Sequence, residues 1–399
     1  MGTAGIVAEF NPFHSGHARL IESLREHGAD RIAVAMSGNF VQRGEAAVLS
    51  KWARAKQALL CGVDLVVEIP LPWAVSGAEK FSAGGVSVLS ALGVDTLGFG
   101  SECGSTEKLK KAADALASPR LRPALREELK TGKTFAAARQ RAAEKLFGAE
   151  TAALLQSPNN ILGIEYLKAI KRLGSPMRPF TVRRQREEGS GLGQCGPSVS
   201  SLKIRKRMES GLSLEGLMPA SARKVLKEEE SRKKAPADLS FSERGILARL
   251  RTMDRQEFSS LPDISEGLGN RIYEASRKAG TLGELYRLSK TKRYPLARIR
   301  RIILSAYLGL QSSDSSGNVP YLRVLGIGPG GPDILKSAKR SGILPIVTRW
   351  SDFSALGGSA RRISLLEDRA ADLYALCLPR CGPCGTDRTE GIVTLFRSS

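Results

Sequence analysis

The stretch "AEFNPFHSGH" at residues 8–17 decides the fold, because it joins the end of an apolar run to the start of a helical period and holds two of the chain's three histidines. Upstream, "AGIVAEF" (4–10) reads as a short strand ending in a turn signal. Downstream, "HARLIESLREHG" (17–28) has the apolar spacing of a helix that stops at Gly28. The residues between lie just past the carboxyl end of a strand, where open parallel sheets hold their ligands. If His14 and His17 fall around the first helical turn, their i, i+3 spacing puts both imidazoles on one face, beside unpaired N–H groups and the positive end of the helix dipole. That is a phosphate site: Gly16 permits close approach, and imidazoles donate to phosphate oxygens as charge builds on a leaving group. The plain alternative is one capping histidine and one packed histidine, since short patterns recur by chance. The setting, after a first strand and opening a helix, favours the ligand.

The alternation continues outward. "RIAVAMS" (31–37), "VDLVVEIP" (63–70) and "VDTLGFG" (94–100) read as strands, while "SKWARAKQALLCG" (50–62) and "SGAEKFSAGGVSVLSALG" (76–93) read as helices. Val- and Ile-rich strands between such helices predict an α/β fold, a Rossmann-like nucleotide-binding domain whose parallel sheet is covered on both faces. Residues 105–175 are mainly helical and "PFTVRRQ" (179–185) is a late strand. "REEGSGLGQCGPSVS" (186–200) is a Gly/Ser-rich loop, and 201–310 carries helical patterns dense in Lys and Arg. "QSSDSSGNVP" (311–320) is a linker signal, and "YLRVLGIG", "PDILKSAKRSG" and "LPIVTRW" beyond it predict a strand–helix–strand unit. The expected organisation is a nucleotide-binding domain over 1–205, a mainly helical basic domain over 206–310 suited to RNA, and a small α/β subdomain over 320–399.

A length of 399 residues suggests two or three domains, and a formal charge of +21 attracts polyanions, nucleic acid above all. No apolar run approaches the roughly 20 residues of a membrane-spanning helix and no signal peptide is visible, so a cytoplasmic protein with no membrane partner is expected. Six cysteines (Cys61, Cys103, Cys195, Cys377, Cys381, Cys384) fit reduced thiols better than a disulfide framework. "CLPRCGPC" offers three thiols without a fourth ligand nearby, so ordinary thiols are preferred to zinc. "GIGPGG" (326–331) lacks a following acidic ribose ligand and reads as a loop, which disfavours a dinucleotide-dependent oxidoreductase.

Further elements point at phosphate and RNA. "VSSLKIR" (199–205) places Ser200 and Ser201 at a helix start, able to cap it and bind phosphate, with Arg205 one turn on; a serine cap on a basic helix is the simpler reading. "SGNFVQRGE" (37–45) follows the second strand, so Asn39, Gln42 and Arg43 fall on the ligand edge and are candidates for a small-acid or nucleotide pocket; a polar turn shaped by Gly38 and Gly44 is the alternative. "RLSKTKRYPLARIRR" (287–301) gathers Arg287, Lys292, Arg293, Arg298, Arg300 and Arg301 around Tyr294, cations for phosphates and a ring to stack on an unpaired base, on a helix whose other side enters the core. "KIRKRME" (203–209) is a second basic run beside the expected phosphate site.

H-x-G-H followed some 180 residues later by "VSSLKIR" resembles the paired signatures of the nucleotidylyltransferase superfamily, with Val199 and Leu202 where Ile and Thr are often found. More closely, "GIVAEFNPFHSGH", "SGNFVQRGEAAVLSKWARAKQALLCGVDLVVEIP", "FGSE", "SPNNILGIEYLKAI", "KRYPLARIRRIILSAYLGL" and "YLRVLGIG" resemble the tRNA(Met) cytidine acetate ligase family over about residues 2–330. The resemblance implies an enzyme that activates acetate with ATP to acetyl-adenylate, releasing pyrophosphate, and transfers the acetyl group to the wobble cytidine of elongator tRNA(Met). It implies an ATP site over residues 7–20, here Val7, Ala8, Glu9, Phe10, Asn11, Pro12, Phe13, His14, Ser15, Gly16 and His17. Gly100, the asparagine of "SPNNIL" (Asn159 preferred to Asn160) and the Arg183–Arg184 pair, chiefly Arg184, complete that site. His14, His17 and Arg205 are then expected to supply positive charge at the α-phosphate, and Mg2+ is expected with ATP, held mainly by phosphates. Small-molecule nucleotidylyltransferases or carboxylate-adenylating ligases, and an inactive nucleotide-sensing RNA-binding protein, are the competing readings.

Overall fold

Successive residues of the first two strands point to opposite faces of one sheet, and both sets are buried: Ile6, Ala8, Val34 and Met36 on one side, Val7, Ala33 and Ala35 on the other. A strand buried on both faces needs apolar residues at every position, which is why these segments read as continuous runs. The computed structural model describes residues 2–184, 200–265 and 267–395. Most of the Gly/Ser-rich stretch, 186–199 with Cys195 and Val199, lies outside the described residues.

Strands β1 (Gly2–Ala8) and β2 (Ala29–Ser37) pair in parallel, and a hairpin, β3 (Phe40–Val41) with β4 (Glu45–Ala46), follows off the sheet. The parallel set continues through β5 (Leu65–Ile69), β6 (Thr96–Ser101) and β7 (Arg178–Arg183). β8 (Leu322–Ile327) runs antiparallel to β5, and β9 (Ile346–Val347) and β10 (Val393–Thr394) run parallel to β8, giving the order β10-β8-β5-β2-β1-β6-β7 with β9 beside β8. Helices α1 (Ser15–Glu26) and α2 (Lys51–Leu60) cover one face, and the helices Ala78–Ala91 and Pro158–Leu173 the other. The Rossmann-like α/β reading therefore holds.

The C-terminal segment differs from its sequence reading. The strand–helix–strand unit after residue 320 forms, as β8, the helix Gly331–Ser341 and β9, yet it is no separate layer: β8 extends the sheet of the first 205 residues. The helical segment also divides. The helix Ala220–Ser231 packs against α2 in the core cluster of the sheet's first face, whereas Ile246, Leu250, Ile272, Leu285, Ile299 and Ile303 form a second core, joined by Leu366, Ala370 and Tyr374 from the helix Gly358–Ala375.

A buried charge cluster binds the C-terminal segment to this sheet. Lys51 Nζ lies 2.8 Å from Glu68 Oε2 and 2.6 Å from Asp387 Oδ1; Arg323 pairs with Asp387 and reaches Glu367 Oε2 at 3.6 Å, its guanidinium set among Trp52, Trp350 and Phe353. Two cations face three carboxylates. Burial, with Glu68 alongside, pushes Glu367 up to about 8, and a protonated Glu367 leaves two charges of each sign. Its folded pKa exceeds its unfolded value, so the stability it contributes is complete below the ordinary carboxylate range and drains away as pH rises toward that value. Wild-type unfolding free energy is expected to fall between about pH 5 and pH 8 through this group, and Glu367→Gln to flatten that slope in denaturant titrations. A slope unchanged by the substitution would remove Glu367 from the balance.

Candidate active site

His14 is the N-cap of α1, and the two histidines cap the helix reciprocally. His14 Nδ1 accepts from Gly16 N (3.1 Å) and His17 Nδ1 accepts from His14 N (3.2 Å), with the rings stacked at a centroid distance of 3.7 Å. Since each Nδ1 is an acceptor, the proton of each neutral ring sits on Nε2, and both rings present an N–H donor. Phe10 and Phe13 are core residues packed on the His17 ring, at 4.8 and 5.5 Å, and orient it; Phe10 takes a positive φ of 48° to turn its ring inward from the strand end. Burial pushes the His14 imidazole down to about 3, reinforced by Arg184, and drives His17 well below the usual histidine value, with His14 and then Arg184 adding to it. Without a bound anion the two histidines are therefore neutral donors, and the cation beside them is Arg184.

Arg184 follows β7 and donates from Nη1 to Asn159 Oδ1 (3.4 Å). Gly100 on β6 makes room for it, since a Cβ there would sit 3.2 Å from Arg184 Cγ. Asn159 Nδ2 is held by Glu102 Oε1 (2.7 Å), while Asn160 is buried with its Oδ1 spent on Cys103 N (3.1 Å). Geometry thus separates the two neighbours: Asn159 faces Arg184 and Asn160 braces the 101–105 turn. Arg183 is exposed on the strand beyond.

The second wall is the loop after β2. Glu9 Oε1 accepts from Gln42 N (2.9 Å), which ties the end of β1 to the β3–β4 turn. Arg205, on the helix Ser201–Glu209, donates to Asn11 O (3.0 Å) and pairs with Glu45 Oε2 (3.2 Å). Ser200 caps that helix by accepting from Lys203 N (3.3 Å), with Ser201 its first residue, and Ser15 Oγ donates to Gly216 O (3.1 Å). Asn39 is buried, and its Oδ1 accepts from Lys51 N (2.8 Å) at the start of α2. Arg43 stands exposed at the hairpin tip, close enough to act on Glu9, and Gln42 is half-buried beside it.

The basic run 287–301 is corrected more strongly. Arg298 donates to Asp263 O and Ser265 Oγ, Arg300 pairs with Glu45 Oε1, and Arg301 binds Asp263 Oδ2 at 2.8 Å and Gln42 O at 3.4 Å. Tyr294 is 7% exposed within the helical core, so its ring is no platform for a base. Gly44 (φ +72°) lies against this helix, where a Cβ would come 2.5 Å from Arg301 N. Arg300 and Arg301 fasten the helical part to the site loop, Arg298 bonds within the helical part, and Arg287, Lys292 and Arg293 are exposed.

Sequence reading passed over Arg54. It is fully buried and donates to four backbone carbonyls: Glu9 O (2.6 Å), Ser37 O (3.0 Å), Leu49 O (3.0 Å) and Gly38 O. The available signal was an arginine on the buried side of an amphipathic helix. Arg54→Lys keeps the charge but cannot reach all four acceptors, so the unfolding free energy should drop by at least about 2 kcal/mol, at 1–3 kcal/mol per orphaned buried group, read as a lower urea midpoint with little change in m.

Around these two N–H-presenting imidazoles, with an arginine and an asparagine beside them on a parallel sheet's carboxyl edge, the chain as a whole is similar to known proteins. The family model described as HIGH Nucleotidyl Transferase matches residues 1–386. The tRNA(Met) cytidine acetate ligase of Thermoanaerobacter sp. (strain X514) is 37% identical over 99% of this chain and 100% of its own length, and that of Caldanaerobacter subterraneus subsp. tengcongensis is 40% identical over 94% and 95%. The crystal structure of Thermotoga maritima TmcAL bound with alpha-thio ATP superposes with a TM-score of 0.90 at 30% identity, covering 99% of this chain and 100% of that one. The apo form does so at 0.91 and 31%, with the same coverage. The chain belongs to the HIGH nucleotidyl transferase family and, within it, to the tRNA(Met) cytidine acetate ligase family.

Proposed function

We propose that this chain is an ATP-dependent ligase that converts acetate and ATP to acetyl-adenylate and pyrophosphate, then acetylates N4 of the wobble cytidine in elongator tRNA(Met). The observation that carries the reading is the stacked, neutral pair His14 and His17, each with Nε2–H outside the capping bonds and Arg184 at its side. Donors fixed in place before the reaction stabilise charge on the α-phosphate and on departing pyrophosphate without reorganising. Attack by an acetate oxygen also brings two anions into one small space, which argues for the positive charge of Arg184 beside the two donors. The ATP site in this reading comprises residues 7–17 with Gly100, Asn159 and Arg184. The acetate site lies toward Gln42, Arg43 and Arg205.

Among the described residues no group of three or more His, Cys, Asp or Glu side chains gathers to hold a metal. Mg2+ in this proposal enters on the triphosphate, whose oxygens hold it, and supplies charge neutralisation there. No helix among the described residues is long and apolar enough to cross a membrane, and a tRNA substrate points to the cytoplasm. RNA meets the exposed cations of the helical part.

Incubation with labelled acetate, ATP, Mg2+ and an unmodified elongator tRNA(Met) transcript should yield acetylcytidine at the wobble position, and His17→Ala should nearly abolish acetate-dependent ATP–pyrophosphate exchange. Exchange at the wild-type rate in that variant would overturn the role of His17. Replacing Arg287, Lys292 and Arg293 together by Ala should weaken tRNA binding and reduce the slope of log K against log salt by about 2, at roughly 0.7–0.9 for each phosphate no longer neutralised. An unchanged slope would place the RNA on another face.

A further inference from the structure

The acetyl transfer half of this reaction has a requirement that the phosphate site does not meet. The lone pair of a cytidine exocyclic amine is conjugated with the ring, so the nitrogen is a weak nucleophile and must shed a proton as it attacks; a positioned base supplies this. The described groups around His14 and His17 are donors: both imidazoles have Nδ1 occupied by backbone N–H and offer Nε2–H, and Arg184 and Arg205 only donate.

The carboxylates of the surrounding loops are nearly all engaged. Glu45 gives Oε1 to Arg300 and Oε2 to Arg205. Glu102 gives Oε1 to Asn159 and Oε2 to Asn160 N. Glu68 gives both oxygens to Lys51. Glu9 differs. Its Oε1 accepts from Gln42 N at 2.9 Å, and among the described residues its Oε2 has no hydrogen-bond partner. Its backbone is fixed by Arg54 through Glu9 O, so the carboxylate stands at the end of β1, between the turn that bears the histidines and the loop that bears Gln42.

From this geometry we infer that Glu9 is a further catalytic residue, the base that takes the N4 proton of the acceptor cytidine through Oε2. The inference rests on the proposed acetylation reaction. In the step, the N4 nitrogen attacks the acetyl carbonyl carbon of acetyl-adenylate and a C–N bond forms. One N4 proton passes to Glu9 Oε2, the acyl C–O bond to the phosphate breaks, and AMP leaves with that electron pair; Glu9 then returns the proton to solvent. The charged and titratable groups facing Glu9 are Arg43 and Glu45 from the hairpin, Arg205 from the helix Ser201–Glu209, Arg54 from α2 and Tyr166 from the helix Pro158–Leu173. Burial dominates among them and raises the Glu9 carboxyl above the usual carboxylate range, against the Gln42 N–H, Arg43 and Arg205, which makes it a stronger base than an exposed glutamate.

The test is Glu9→Gln in the full-length protein, which keeps an acceptor for Gln42 N but loses the base. Three rates are read: acetate-dependent ATP–pyrophosphate exchange, trapping of the acetyl group by hydroxylamine, and acetylation of elongator tRNA(Met). Acetylation should fall about 100-fold or more relative to exchange, the scale of general base catalysis. Hydroxylamine trapping should follow exchange, because that nucleophile is already reactive. In wild type the single-turnover acetylation rate should drop on the acid side as Glu9 is protonated, and Glu9→Asp should restore part of both rate and pH profile. Equal losses in all three rates, or an unchanged acid limb in Glu9→Gln, would make Glu9 a structural tie and overturn the inference. A wild-type protein that forms adenylate yet never labels the tRNA would overturn the proposed acceptor itself.

Discussion

The guanidinium of Arg54, buried beneath the carboxyl edge, holds Glu9 O and Ser37 O through one nitrogen and Gly38 O and Leu49 O through the other two. Those carbonyls belong to the ends of adjacent strands β1 and β2 and to the start of α2, so one side chain fixes the spacing between the turn that carries the histidines and the loop that carries Gln42 and Glu45. Burial pulls Arg54 down to about 10, partly offset by Tyr374, Glu9 and Glu68, which still leaves it charged at neutral pH. A charge in that position would be costly if its donors were unmet; with four carbonyls accepting, the loops and the cation satisfy one another.

From this anchor the coupling runs in two directions. Toward the helical part, Glu45 is shared by Arg205 and Arg300, and Gly44 lets the hairpin lie on the helix Leu296–Leu308 with no room for a side chain. Arg205 and the helical core therefore meet on one carboxylate. Toward the C-terminus, Lys51, the first residue of α2, reaches Glu68 and Asp387, while Arg323 on β8 closes the cluster. Breaking a buried pair leaves an uncompensated charge, so the end of the chain is held to the sheet edge by electrostatic necessity as well as by packing.

The sheet was legible because strands buried on both faces must be apolar throughout, and the histidine turn because its position after the first strand gave a four-residue pattern a context. The reach of the sheet was not legible. Gly- and Ser-rich composition at 311–320 reports exposure and says nothing about which edge the next strand joins, and β8 joined β5 rather than founding its own layer. Cations were misread for a related reason. Arg298, Arg300 and Arg301 have the composition of an RNA surface, but their partners, Asp263, Glu45 and Gln42 O, lie about 35 to 260 residues away. Glu9 did leave a trace as the one charge in the apolar run 4–10, and Arg54 as a cation on the buried side of α2; a folded chain tolerates either only where the charge has a fixed partner.

The neutrality of His14 and His17 follows from the same economy of charge. Two imidazolium rings 3.7 Å apart, beside an arginine and at the positive end of a helix, would repel one another strongly, and burial removes the solvent that would soften it. The fold therefore holds its histidines unprotonated and already oriented by the backbone. In the proposed reaction a triphosphate would reverse the sign of the local field and raise the proton affinity of both rings, so donors that begin neutral would gain positive character as negative charge accumulated on departing pyrophosphate. Arg184, a permanent cation, could not respond in that way, which gives a physical reason for pairing a fixed charge with two adjustable donors.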